Sequence, residues 1–353
     1  GVRTASSLNS TYTVTSVTDP ATTPRVVAVR YPLYHPVTTG KKTTYQIEEV
    51  IYTPYARSLH TPEMIARGKT YLDQQINEVY QGLEQKKIAS ATSPNKLVTE
   101  VIRPEVAKAI LLIEHAGQEE MKKDPQDTLE MFYVELGLNE RLTYAYEESP
   151  VGASGAPQFM PATYKLLTKQ TELNLNPDFK SGMRDLGNGM TAQVVYLDRL
   201  LSVMPDTVRT SHMNQPYEAG AYVVAAYNTG EGRVKRAVKA WGEDWDESHA
   251  TKLASLQSQK TKLANEVAAL KKKLKTKAVT ASTTQTKALK KQLATAQSQQ
   301  SVVNSQIDAL QNSTLRKETV GYLQKYHLAL PYLVPESELA KVQQMVKTAS
   351  LYL

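Results

Sequence analysis

The sequence predicts a mainly α-helical protein, with an antiparallel coiled-coil hairpin inserted into a helical domain and a short extended or β region at its N-terminus. Three observations carry this reading. From residue 56 onward, apolar residues recur at helical spacing in segment after segment. Over 250–316 the spacing changes to a sustained seven-residue repeat. Residues 1–55 are instead rich in Thr, Val, Tyr and Pro. A chain of 353 residues with 41% apolar and 22% charged side chains has the size for two or three domains, or one domain with a large insertion.

Taken in order, Arg25–Tyr31 and Thr44–Tyr52 read as short strands or extended arms, and the first twenty residues are open between a loose tail and an ordered one. Thr61-Pro62-Glu63 is a helix start: a capping hydroxyl, a proline at the first helical position, then an acid in the first turn. Ile65, Leu72, Ile76, Val79 and Leu83 follow on one face of 62–87. Pro104 opens a second helix that ends by Gly117, and its all-apolar run Ala109–Ile113 predicts burial all round. Further helical patterns cover 127–136, 158–169, 186–203 and 218–241.

In the heptad region Leu253, Lys260, Val267 and Leu274 form one series, and Leu256, Leu263 and Leu270 a second. Beyond the helix-poor stretch Val279–Thr284, Leu289, Ala296, Val303 and Leu310 repeat the pattern with Leu293, Gln300 and Ile307. Two runs of similar length about a polar turn make a hairpin whose arms reach roughly 38 Å at the helical rise. The expected domains are therefore 1–55, 56–249, the hairpin 250–316, and a return of the helical domain over 317–353.

Charge is concentrated in the same place. Residues 251–300 hold 11 Lys against the single acid Glu266, so the net +7 of the chain leaves −3 for everything else. A basic binding face over the whole protein, as nucleic-acid recognition requires, is not indicated. The lysines suit an anionic partner at the hairpin, such as a wall polymer, a membrane surface or an acidic protein, and equally the plain solvation of exposed heptad positions. Cysteine is absent, which excludes disulfides, thiolate metal sites and a cysteine nucleophile. The six histidines show no ligand spacing, and none need be invoked. No apolar stretch approaches the roughly 20 residues of a membrane helix. No basic-then-apolar leader opens the chain, so an exported protein is expected here in its mature form.

The most informative stretch is Ser149–Tyr164, where Gly152 and Gly155 permit close approach of a ligand and Gln158 offers a donor and an acceptor. By itself this reads equally as a glycine-rich loop before a helix. The loop resembles the Gly-Ala-x-Gly-x-x-Gln-x-Met-Pro-x-Thr motif of the lysozyme-like (goose-type, SLT-type) lytic transglycosylases of bacterial cell walls. Ala225–Val234 resembles that family's Ala-Tyr-Asn-x-Gly-x-Gly-x-Val motif, and Glu318–Tyr322 its Glu-Thr-x-x-Tyr motif. Asp185, Asn188 and the helix reaching Asp198 lie between the first two in the family's order.

The resemblance implies a lysozyme-like helical fold, a location in the bacterial envelope outside the cytoplasm, and cleavage of peptidoglycan strands between N-acetylmuramic acid and N-acetylglucosamine. It implies one glutamic acid as general acid and base, a 1,6-anhydromuramoyl product and no cofactor. Gln158, Ser154, Tyr227, Asn228 and Tyr322 become the expected substrate-binding residues. Two glutamates compete for the acid. Glu140 stands 18 residues before Gln158, the compact family spacing, but Gly137, Asn139 and Arg141 suit the family's helix poorly. Glu114 ends Ala109–His115, which resembles the family's acid-bearing helix with His115 in place of Ser or Thr, and needs about 26 inserted residues. Glu135, Glu147 and Glu148 are expected to be surface acids. Ala156-Pro157 stands where the family has Leu-Met, which alters the cleft wall. A non-catalytic wall-binding scaffold and a lysozyme-type muramidase, which needs a second carboxylate or a held water, are the alternatives.

Overall fold

The computed structural model describes residues 13–16, 28–40, 42–246, 249–277 and 283–350. Most of the first twenty residues, and the turn at 279–282, therefore lie outside the described residues. The chain divides into two compact units, Gly1–Tyr227 with Gly321–Leu353, and Asn228–Val320.

The first unit opens with a three-stranded antiparallel sheet in the order β1 (Thr13–Ser16), β2 (Ala28–Thr39), β3 (Lys42–Tyr52). Strand β2 runs well past the predicted Tyr31 and pairs with β3 from Val29↔Tyr52 to Thr39↔Lys42. Pro32 and Pro36 conceal it in the sequence, since a proline ordinarily argues against a strand. The two share one parity, so both missing N–H groups fall on the same strand edge, and β1 pairs only with residues 28–30. Gly40, at φ +62°, makes the turn.

Helix α1 (Pro62–Gln85) starts as its sequence dictates, with Thr61 Oγ1 accepting from the Met64 N–H at 3.3 Å. It buries Leu72, Ile76, Val79 and Leu83. The short α2 (Val98–Val101) leads into α3 (Pro104–His115), whose residues from Val106 to Ile113 are buried except Lys108. Then α4 (Gln118–Lys123) and α5 (Pro125–Asn139) follow. Gly137 does not break α5. It lets the helix press on α1, where a Cβ on Gly68 would overlap the Tyr133 carbonyl and one on Gly137 would lie 2.6 Å from Met64 O.

Beyond the glycine-rich loop come α6 (Pro161–Leu167), α7 (Phe179–Arg184), the central α8 (Leu186–Ser202) and α9 (Asp206–Ser211). Asp185 caps α8 through the Asn188 N–H at 3.0 Å. Buried Asp198, on α8, accepts from Ser90 Oγ at 2.7 Å and from the Ala91 N–H at 2.6 Å, fixing the loop before α2.

The stretch 218–241 is two helices, not one: α10 (Pro216–Thr229) and α11 (Glu231–Trp241), parted by Gly230 at φ +86°. The second unit then holds α12 (Ala250–Lys277) and α13 (Thr283–Ser313), which pack on each other. Val267, Leu270 and Ala296 are buried together, with Leu289 and Leu293 against them. Val303, Ile307 and Leu310 are also buried, whereas Lys260 is exposed.

The expected boundary at 249/250 is displaced. Helix α11 groups with the long pair because its side chains hold the end of α13: Arg233 Nη1 reaches Gln311 O at 3.0 Å and Thr314 O at 2.9 Å. Arg236 Nε reaches Asn312 O at 3.0 Å, and Trp241 Nε1 reaches Ser313 O at 2.9 Å. Helix α14 (Lys317–Ala329) brings the chain back to the first unit, which α15 (Glu336–Ser350) follows. Among the described residues no helix is long and apolar enough to cross a membrane.

Candidate active site

Glu114 is the penultimate residue of α3, and the apolar helix delivers it into the protein. Part of its surface remains open, but the carboxyl sits deep. Burial raises its pKa above the ordinary carboxylate value, because the charged form loses water. A hydrogen bond from the Tyr322 hydroxyl at 2.6 Å opposes this, as do the positive charges of His115 and Lys325, while Glu147 adds to it. Lys325, one turn beyond Tyr322 on α14, donates to the carbonyls of Ile113 and Ala116 and so closes the end of α3.

Tyr227 lies at the end of α10 within the first unit. Its hydroxyl donates to Pro157 O at 2.7 Å, and its ring meets Phe159 and Tyr196 edge-on, each at 5.8 Å. The phenols of Tyr227 and Tyr322 are held well above their usual pKa, first by burial and then by the charge of Glu114, so both act as neutral O–H groups.

The glycine-rich loop is built from its own backbone. Ser154 and Phe159 exchange hydrogen bonds at 3.0 and 3.1 Å, and the Gly155 N–H donates to Glu147 O at 3.0 Å. Gly155 stands at φ +73°, and a Cβ there would overlap Met183 O. Gln158 is at φ +50° and turns its amide back on Gly155 O at 2.9 Å. Ser154 is only 5% exposed, so it shapes the loop from inside. Asn188 pins the neighbouring turn, donating to Tyr164 Oη at 2.8 Å and accepting from the Asn176 N–H at 2.9 Å.

Of the predicted residues, the structure brings Glu114 and Tyr322 into contact, and joins Tyr227 to the loop of Ser154 and Gln158. Asn228 falls in the second unit, where its Oδ1 accepts from Thr319 Oγ1 at 2.8 Å. Glu140 is half-exposed at φ +48° and pairs with Arg67 Nη2 at 2.6 Å.

Two of the three expected surface acids are not at the surface. Glu135 is 3% exposed and accepts a hydrogen bond from the Tyr144 hydroxyl, because α5 packs inward along its length. Glu147 points its Oε2 into the protein, 2.9 Å from His115 Nδ1. Glu148 does pair at the surface, with Lys180 at 2.6 Å. The His115 ring is 3% exposed, stacks on Tyr144 at 3.7 Å, and sets its Nε2 2.7 Å from Ala156 O. The one signal for this in the sequence is the histidine itself, which stands where the family that the sequence resembles carries a small hydroxyl residue.

Elsewhere His60 Nε2 lies 3.0 Å from Glu130 and 3.8 Å from Asp127. These are potential metal ligands, separated by about seventy residues and so invisible to spacing. Arg57 already sits 2.5 Å from the same Asp127 oxygen, so the group works as an ion-pair network tying the segment before α1 to α5.

Compared with known protein families, residues 115–249 match the model described as the transglycosylase SLT domain. No curated protein and no solved structure matches the chain.

Proposed function

From the premise that this chain carries a domain of the transglycosylase SLT family over residues 115–249, we propose that it is a peptidoglycan lytic transglycosylase with Glu114 as its only acid and base. The observation that carries this is the buried Glu114 carboxyl, with its raised pKa and its hydrogen bond from Tyr322.

A protonated Glu114 gives its proton to the glycosidic oxygen as the bond from muramic C1 breaks. The acetamido group of the substrate supports the cationic carbon, so no second carboxylate is needed. The Glu114 carboxylate then takes the proton of the C6 hydroxyl while O6 closes on C1. The acid is regenerated, no water is consumed, and the product ends in 1,6-anhydromuramic acid. Tyr322 steadies the carboxylate between the two steps, and Tyr227 braces the loop that forms the cleft wall. Such chemistry belongs outside the cytoplasm, in the cell envelope. The paired helices α12 and α13 serve as a docking arm for an anionic partner and take no part in bond cleavage.

Glu140 is the second reading. The matched span begins one residue after Glu114 and contains Glu140, which also has the compact spacing to Gln158. Against it stand its exposure and its ion pair with Arg67. Muropeptides released from purified sacculi, analysed by mass spectrometry, test both. Anhydro ends are expected from the wild type and from Glu140→Gln, with a loss of at least about 100-fold for Glu114→Gln. Full activity in Glu114→Gln with a dead Glu140→Gln reverses the assignment. Hydrated reducing ends indicate a muramidase, and no release at all a scaffold.

A further inference from the structure

Glu114 and the glycine-rich loop are far apart in the chain, and their registration is not secured by Tyr227 alone. The residue next to the acid makes the remaining connection. His115 Nε2 lies 2.7 Å from Ala156 O, and Nδ1 lies 2.9 Å from Glu147 Oε2. Glu147 in turn holds the loop by its backbone, accepting the Gly155 N–H at 3.0 Å. These contacts close a ring: helix end, imidazole, Ala156, Gly155, Glu147 and back to the imidazole.

A carbonyl and a carboxylate are both acceptors. Nε2 therefore carries the proton it donates to Ala156, while Nδ1 faces Glu147 at ion-pair distance but outside the alignment of a hydrogen bond. The ring cannot swing away, because Tyr144 stacks on it at 3.7 Å and 8°, and Phe132 lies beyond at 6.0 Å. Tyr144 is itself tethered by its hydroxyl to Glu135 on α5. The helices between Gln118 and Asn139, which separate the acid from the loop in sequence, thus supply the backing for the ring.

We propose that His115 and Glu147 are a positioning pair: the imidazole, lodged between Glu147 and the Ala156 carbonyl, fixes the glycine-rich loop in register with Glu114. This rests on Glu114 being the acid. The pair touches neither scissile bond nor proton in flight, and it acts by geometry and by charge. The charged groups that bear on Glu114 are His115, Lys325 and Glu147, together with the Tyr322 hydroxyl.

The test uses the full chain and soluble glycan fragments. His115→Gln and Glu147→Gln are each expected to lower kcat about 10- to 100-fold, through loss of alignment, with KM changed far less. The double variant should be no worse than the poorer single one, because either break releases the same loop. The positive charge of His115 holds the Glu114 pKa down, so its removal should move the alkaline limb of the kcat profile to higher pH. Additive losses, or a limb that stays in place or moves down in His115→Gln, overturn the proposal. NMR of wild-type His115 needs no variant to fold: a slowly exchanging Nε2–H is expected from its bond to the Ala156 carbonyl, and a freely exchanging ring overturns the proposal equally. If Glu114→Gln keeps full activity, it is the choice of acid that has failed. If Glu114→Gln is dead and the His115 results are negative, only the pair has failed.

Discussion

At the scale of single residues, the proposed site depends on a balance around one carboxyl. Burial favours the proton on Glu114, and the Tyr322 hydroxyl favours its departure. Activity should therefore fall as pH rises through the elevated pKa, since the ionised form cannot protonate a leaving oxygen. Tyr322→Phe removes a bond to the carboxylate without removing the ring, so the alkaline limb should move to higher pH, and kcat should fall about 10-fold with the loss of a charge-assisted hydrogen bond. A pH–rate profile of that variant checks both; a limb displaced downward contradicts the role given to Tyr322. The sequence made Glu114 and Tyr322 legible because each sits in a motif. Glu147 and Glu135 were not legible, since nothing local distinguishes an acid on a loop or helix that faces water from one that faces a buried ring. Only the fold brings Tyr144 and His115 to them.

At the scale of elements, Gly68 and Gly82 lie on the same helix and should respond oppositely to alanine. A Cβ on Gly68 collides with the α5 backbone at Tyr133, so Gly68→Ala should destabilise by about 3 kcal/mol. Gly82 has nothing within 4 Å, and Gly82→Ala should stabilise by about 0.5–1 kcal/mol through helix propensity and a less mobile unfolded chain. Urea unfolding of the two variants decides it, and equal effects would contradict the close crossing of α1 and α5. The elements that the sequence made plain are those with local signals: Thr61 and Pro62 at the start of α1, and the apolar run in α3. Those it obscured depend on partners. Gly137 looks like a breaker until α1 lies against it, Pro32 and Pro36 look like breakers until only one edge of β2 needs donors, and Gly230 splits a pattern whose apolar spacing runs straight through.

At the scale of the whole molecule, stability should depend on acid through His327. Burial alone pushes its pKa from 6.5 down to about 4. Between those values the unfolded chain binds a proton that the folded chain refuses, so stability rises with pH across this window. The span corresponds to about 3 kcal/mol, lost progressively as pH falls from the upper value to the lower. Chemical unfolding at a series of pH values should show the slope in the wild type and a shallower one in His327→Gln; an unchanged slope would place the acid sensitivity elsewhere. The second unit has a different property, set by the root of its long helices. A helix normally leaves its last carbonyls to water, yet those of Gln311, Asn312 and Ser313 are taken by Arg233, Arg236 and Trp241. Such an attachment resists fraying and pivoting. The pair is thereby a cantilever, not a tether, and whatever pulls or presses on its far end loads α11 directly.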